Sequence, residues 1–311
     1  MARLGTLGPV TSTALRQPLV RAPRLASAAA LPFLALGAVV VLWGMGPPLT
    51  KLITAPSLSV VFVRLWVAVP LMTGLQLASG SRPSWPSLRA SLLGGAAFAV
   101  NMVTFFFAIH RSSIATFTVI SALQPGLVML GASRLFGERV TRWGVAWTVV
   151  AIGGAGIAVL GAGAEVHTSG LGILFSLLSL GAMTVYFFAA KRARVTMGAS
   201  DYMAGVMLWS AIFVTPIAIL GGGLSGIGAL GTADLWWLLV VLIGPGMAGH
   251  LLISWAVRFV PVSLSSMTML GTTVIAIVAA WPIHHEPVTL VQALGGVIAL
   301  GGVAAVITRS G

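Results

Sequence analysis

The 311-residue chain has no cysteine and only five acidic residues, and charged side chains make up just 7% of it. Without cysteine it can form no disulfide, no thiolate nucleophile and no Cys-ligated metal site. So little charge leaves a water-soluble surface without its usual material, since soluble proteins carry roughly 25% charged residues. The acids, Glu138, Glu165, Asp201, Asp234 and Glu286, all lie outside the middles of the apolar runs. No carboxylate is therefore placed to relay protons at depth. What fills the chain instead is hydrophobic, 58% of residues, with a mean hydropathy of +1.05. A bilayer is the solvent that suits such a composition.

A membrane-spanning helix needs ~20 mostly apolar residues. Ten such runs occur: Ala30 to Lys51, Ser59 to Ala78, Leu88 to Ile109, Ile114 to Phe136, Trp143 to Leu160, Leu171 to Ala190, Tyr202 to Leu220, Leu235 to Val257, Val262 to Ile283 and Leu290 to Thr308. Thirty-eight glycines and abundant alanine suit helix packing in lipid, where small residues let backbones approach. Gly154/Ala158, Gly295/Ala299 and Gly301/Ala305 have the small-xxx-small spacing, which chance alone supplies in so Gly-rich a chain. Residues 1–29 carry Arg3, Arg16, Arg21 and Arg24 and no acid. The apolar run that follows is longer than the roughly 7 to 15 residues of a secretory signal core, so an uncleaved cytoplasmic tail is expected.

Cytoplasmic loops of membrane proteins keep the excess of Lys and Arg. With the N-terminus inside, fourteen of the seventeen basic residues fall on the cytoplasmic side: Arg3, Arg16, Arg21, Arg24, Arg82, Arg89, Arg134, Arg139, Arg142, Lys191, Arg192, Arg194, Arg258 and Arg309. Lys51 and Arg111 fall outside, and Arg64 lies within a span. The net charge of +12 is thus explained by topology and by anionic headgroups. It requires no nucleic-acid partner.

Glu138-Arg139-Val140-Thr141 recurs as Glu286-Pro287-Val288-Thr289, and the same spacing places Ala151, Gly153 and Gly154 on Ala299, Gly301 and Gly302. Each motif precedes the last run of a five-run half. Five is odd, so the halves, 30–162 and 169–308, must be inverted in the membrane. The charges agree: Arg134, Arg139 and Arg142 have Pro282, Pro287 and Leu290 as counterparts. The expected fold is an all-α membrane protein of ten transmembrane helices in two inverted five-helix repeats. Inverted repeats are a transporter architecture with a midplane site between the halves.

The stretch Phe107 to Leu160, with Pro125 and Phe136-Gly137-Glu138-Arg139-Val140-Thr141, resembles the end of an EamA repeat of the bacterial drug/metabolite transporter superfamily. Ser254 to Ile307, with Glu286-Pro287-Val288-Thr289, Gly295-Gly296 and Gly301-Gly302, resembles a second copy. Trp43-Gly44 to Lys51 and Tyr186 to Lys191 resemble the matching first helices. The resemblance implies a multi-pass protein of the bacterial inner membrane with both termini cytoplasmic. It also implies a central cavity built by the first four helices of each half, with the fifth helices outside, and export of amino acids, drugs or related metabolites. The second copy has Thr273 where the first has Pro125, which would make a hinge there asymmetric.

Six residues are candidates for substrate binding. Arg64 would lie roughly 8 to 10 Å below the outer end of its span at 1.5 Å per residue. It reads either as a fork for a carboxylate or phosphate or as an arginine snorkelling to the interface. Asn101 and Gln124 are near the middles of their spans, Gln124 and Ser121 flanking the backbone freed by Pro125. The alternative for these is helix-to-helix hydrogen bonding. Trp43, Tyr186 and Trp255 could stack on an aromatic or cationic solute, or pack as bulk. Trp85, Trp143, Trp236, Trp237 and Trp281, near run ends, read as interfacial anchors.

His250 is embedded and is the one side chain of its kind open to proton coupling; a neutral, hydrogen-bonded state is expected for it. His284-His285-Glu286 lacks the i, i+4 histidine pair of a zinc helix, and no metal or cofactor is assigned. Glu138, among Arg134, Arg139 and Arg142, is expected to be structural. A monomer and a homodimer both fit. A secondary transporter of a small solute is the function favoured over two others. A passive channel would want a charge ring or carbonyl filter, and an intramembrane enzyme a nucleophile with its base. The inverted topology makes a direct prediction. Single cysteines at Gly137 and His285 should react with an impermeant thiol reagent from opposite sides of the membrane; labelling of both from one side would refute the inversion.

Overall fold

A computed structural model describes residues 25–112, 114–137, 141–160, 169–284 and 289–309. Most of the basic tail, Glu138 to Val140, Glu165 and His285 to Val288 lie outside the described residues, and with them the two Glu motifs. Every extended element among the described residues is helical: α1 (Leu25–Thr50), α2 (Ser57–Ala78), α3 (Trp85–Arg111), α4 (Ile114–Ser121), α5 (Gln124–Phe136), α6 (Arg142–Leu160), α7 (Gly170–Ala193), α8 (Ala199–Leu220), α9 (Thr232–Val241), α10 (His250–Ala256), α11 (Val262–Thr268), α12 (Gly271–His284) and α13 (Leu290–Arg309). A wide π-helical turn, Leu242–Gly249, joins α9 to α10.

Among the described residues seven helical stretches are long and apolar enough to cross a membrane: Ala30–Thr50, Ser57–Ala78, Trp85–Arg111, Gly170–Ala193, Ala199–Leu220, Thr232–Ala256 and Val262–His284. Ala293–Gly302 is a shorter apolar helix. The remaining sequence runs fall on α4 with α5, on α6 and on α13. Their outward faces carry the oil that a soluble protein would hide, including Leu34, Leu93, Val149, Leu177, Leu220 and Val297. Trp85, Trp143, Trp236 and Trp281 are exposed near helix ends, where an aromatic belt would sit.

The helix ends show why the chain turns where it does. Ser84 accepts the Ser87 amide at the start of α3 and Pro86 occupies the first turn, where a missing N–H costs nothing. Gly137, at φ 65°, ends α5 in the left-handed region that glycine enters without a Cβ clash. Asp234, expected in a loop, instead lies in the first turn of α9, where a carboxylate complements the helix dipole.

Loop contacts sort the ends into two sets. At one end Asp234 Oδ1 accepts Thr54 N at 2.7 Å and Thr54 Oγ1 at 3.2 Å. Ser169 Oγ donates to the Arg111 carbonyl there at 3.1 Å, and His284 Nε2 lies 3.1 Å from the Pro48 carbonyl. At the other end Gln76 Nε2 donates to Asp201 at 3.0 Å. Lys191 Nζ donates to the Val257 and Val260 carbonyls there, each at 2.8 Å. Arg194, expected among the loop charges, is instead 2% exposed and donates to the Ser254 and Met197 carbonyls.

Between the ends, α3 packs along α7 and α8, α2 along α8, and α6 along α13, while α1 lies between the π-turn with α10 on one side and α12 on the other. Glycines set the closest of these approaches. A Cβ on Gly154 of α6 would lie 2.5 Å from the Ala299 amide of α13, and one on Gly302 would lie 2.8 Å from Ala151 Cβ. Two of the small-residue pairs thus meet at this contact through Gly154, Gly295 and Ala299, whereas Gly301 faces open space.

The Asp234 tie joins the α1–α2 loop to α9 by charge-assisted hydrogen bonds, each worth roughly 1.5 to 3 kcal/mol. Asp234→Ala removes the acceptor of both bonds and leaves Thr54 N and Oγ1 without it, so it should lower the thermal unfolding temperature in detergent clearly more than Gln76→Ala, which removes a single donor to Asp201. Comparable melting of the two variants would show that the tie contributes little.

Candidate functional site

Three helix interruptions meet at the centre of the molecule. The fourth run breaks at Ala122 and Leu123, between α4 and α5, one residue before Gln124-Pro125. The ninth run breaks at Met269 and Leu270, between α11 and α12. Thr273 stands where the first half has Pro125, and a break occurs here as well: Gly271 follows it, and Thr272 Oγ1 donates to the Met269 carbonyl at 2.6 Å. The third interruption is the π-turn, which the sequence runs do not announce, with Pro245 inside it. Backbone interrupted in this way is tolerated in a membrane where it lines a cavity.

A cavity of about 160 Å³ lies among these breaks. Its described walls come from α1, α2, α3, α4, α5, α7, α9, the π-turn, α10, α11 and α12. Neither α6 nor α13 contributes, as the resemblance implied, but α8 contributes nothing either. Met102, Phe105, Phe117 and Met183 give it a largely apolar lining.

Arg64 is 5% exposed and faces this cavity, which sets aside the snorkelling reading. Its guanidinium carbon lies 5.7 Å from the centre of the Phe106 ring. No carboxylate among the described residues pairs with it, and no carbonyl accepts from it. Gly246 makes room for it: a Cβ there would fall 2.8 Å from Arg64 Nη2 and 3.0 Å from the Val241 carbonyl. Among the described residues the cavity wall contains no acid, and Arg64 is its one permanent charge.

Trp43, half-buried on α1, donates Nε1 to the Pro245 carbonyl at 3.0 Å, so the indole closes the polar backbone opened by the π-turn. Its ring lies 4.7 Å from that of His250. Phe98 and Tyr186 flank the same imidazole at 4.6 and 5.4 Å. His250 is buried in this aromatic collar with Nδ1 unpartnered, contrary to the expected hydrogen-bonded state.

Asn101 donates to Ser179 Oγ at 2.9 Å and to the Ser179 carbonyl at 3.1 Å, so it both ties α3 to α7 and borders the cavity. Gln124 and Thr50 also face it, and Gln124 Nε2 and Thr50 Oγ1 are buried without hydrogen-bond partners. Thr118 and Ser266 donate their hydroxyls back to carbonyls of their own helices at 2.9 and 2.7 Å, and Thr272 donates to the Met269 carbonyl in the break before α12 at 2.6 Å.

Trp43, Arg64, Asn101 and Gln124 are thus brought to one cavity, and the other two sequence candidates are not. Tyr186 is fully buried behind His250, its hydroxyl 3.1 Å from Ser254 Oγ. Trp255 packs on Phe259 at 4.8 Å, away from the cavity wall. Both are aromatic residues at suitable depth on the wrong helical face, which no periodicity resolves in helices apolar all round. Thr50, Pro245 and His250 are wall residues that the candidate set omitted. Pro245 within an apolar run was the available signal.

The fit of Trp43 to the π-turn depends on Gly249, where a Cβ would lie 2.5 Å from Trp43 Nε1. Gly249→Ala should displace the indole and destabilise the protein by about 1 to 3 kcal/mol. That cost should shrink in a Trp43→Phe background, which lacks the clashing nitrogen. An unchanged cost in the double-mutant cycle would dissociate the two residues.

Comparison with known proteins follows this geometry. No curated protein matches the chain. A solved crystal structure with 19% sequence identity is similar over 90% of this chain and 96% of its own length, with a TM-score of 0.72, a likeness of fold. The EamA-like transporter family model matches twice, over residues 31–160 and 170–308. The chain is a multi-pass membrane transporter and belongs to the EamA-like transporter family.

Proposed function

We propose that this chain is a secondary transporter that exports a small metabolite across a bacterial inner membrane by alternating access. The solute would be held in the central cavity by Trp43, Arg64, Asn101 and Gln124. The observation that carries the reading is the meeting of three helix interruptions, from both halves of the chain, at a single cavity. Discontinuous helices of this kind form midplane sites in transporters, and one half rocking against the other then exposes the site to each side in turn.

Helix neighbours support the inverted repeat on which that motion depends. Exchanging each run with its counterpart five runs later turns α3 beside α7 into α10 beside α1, and α1 beside α12 into α7 beside α5, all of which are observed contacts. The contacts of α2 with α8, α5 with α11 and α6 with α13 map onto themselves. The reciprocal approach of Gly154 to Ala299 and Gly302 to Ala151 obeys the same exchange. Five runs per half would give ten spans, and the odd number would invert the second half relative to the first. Arg82, Arg89, Lys191, Arg192 and Arg258 sit toward the end occupied by the Gln76–Asp201 contact, and this excess of basic charge supports reading that end, and with it both termini, as cytoplasmic.

Tyr186 acts at one remove, as a buttress of His250, and His250 is the group available for proton coupling. Counterflow in proteoliposomes tests the proposal, because only a carrier exchanges labelled for unlabelled solute. With a panel of amino acids, organic acids, amines and purine-type metabolites, at least one should accumulate by exchange. Asn101→Ala and Gln124→Ala should each slow that exchange by about tenfold, as expected for one lost hydrogen bond of ~1.4 kcal/mol. Rapid equilibration without counterflow would identify a passive pore instead.

A further inference from the structure

We infer that the solute is an organic anion whose single carboxylate is not balanced by an ammonium group, and whose body is apolar. The inference rests on the transport reading of the cavity and adds the charge of what is carried.

Arg64 is the starting point. A guanidinium that is 5% exposed is costly to keep, and proteins retain buried cations by pairing them or by placing them where a ligand does so. No side chain pairs with Arg64 here; its described contacts are the face of Phe106 and the notch at Gly246. The two acids resolved elsewhere are committed at opposite ends of the molecule, Asp234 to Thr54 and Asp201 to Gln76. The guanidinium is a planar fork matched to a carboxylate, and it faces the cavity.

The neighbouring polar groups extend the match. Gln124 Nε2 is a buried donor without a partner, and Thr50 carries an unpartnered hydroxyl able to donate. With Arg64 they give the wall a donor-rich, net-positive character. An ammonium would meet no carboxylate among the described residues of that wall. It would give up its hydration beside a fixed positive charge, a repulsion that a low-dielectric site magnifies. A zwitterion gains at Arg64 and loses at its ammonium, a cation only loses, and a carboxylate only gains. The remaining wall, with Met102, Phe105, Phe117, Met183 and the indole of Trp43, offers apolar surface to the rest of the solute.

Three solutes with one body separate the cases: 3-phenylpropanoate, phenylalanine and 2-phenylethylamine. Binding to the full-length protein in detergent is read by thermal shift, and transport by counterflow in proteoliposomes. The carboxylate should bind at least tenfold more tightly than the zwitterion, and the amine should not bind at millimolar concentration. Arg64→Gln should weaken carboxylate binding about a hundredfold and Arg64→Lys about tenfold. Arg64→Gln should also melt at a higher temperature than the wild type without ligand, because it removes an unpaired buried charge, an outcome that a purely structural arginine would reverse. Binding of the amine as tight as that of the carboxylate, no carboxylate binding at millimolar concentration, or carboxylate binding undiminished in Arg64→Gln would each overturn the anion inference. Arg64-dependent binding without any counterflow would leave the anion site standing and defeat the transport reading; counterflow of the amine alone would do the opposite.

Discussion

In hydrocarbon every backbone N–H and C=O has to be satisfied by the protein itself, since no water is there to do it. Continuous helices meet that demand within one segment, which is why this chain is helical throughout its described residues. The three interruptions between α4 and α5, between α11 and α12, and at Leu242–Gly249 break the rule together and in one place. Each needs help from a neighbour: Thr272 closes the turn at Met269, and Trp43 reaches across from α1 to the Pro245 carbonyl. The cavity exists because these segments are excused from regular helix only where they face one another.

Close packing around that centre comes from the removal of side chains. Hydrophobic burial does not drive helices together in lipid, so van der Waals contact and polar ties have to serve. Gly44 fits against Ile275, Gly249 against Trp43, and Gly154 and Gly302 against the facing backbone of the partner helix. At the ends, where water returns, charge takes over. Asp234 holds the α1–α2 loop, while Lys191 and Arg194 gather the carbonyls at the close of α10. The Asp234 tie joins the first half of the chain to the second, whereas the Lys191 and Arg194 ties bind within the second half.

Arg64 and His250 show how a small number of polar groups gain weight in such a setting. In a soluble protein a lone arginine near an aromatic ring is unremarked. Here one unpaired cation sets the sign of an entire cavity, and an imidazole wrapped by Trp43, Phe98 and Tyr186 has an unpartnered nitrogen beside it.

Membrane class, the all-helical fold, the duplication of the sequence pattern and the asymmetric distribution of Lys and Arg were legible in the residue order. They follow from one-dimensional quantities: the length of apolar runs, their punctuation, a motif repeated at a fixed distance, and a tally of charge by loop. Arg64, Asn101, Gln124 and Trp43 could be picked out as cavity candidates because polarity or bulk at depth is itself anomalous. Which face a residue presents was not legible, because helices apolar on every side carry no amphipathic phase to orient them. Tyr186 and Trp255 were therefore indistinguishable from Trp43 until packing put one behind His250 and the other against Phe259. The π-turn was hidden for a related reason: it depends on Trp43, some two hundred residues away, donating to Pro245. Composition and pattern determined that the chain lives in a bilayer; only the tertiary structure, by choosing which carbonyls and side chains face one another, decided where that bilayer is interrupted.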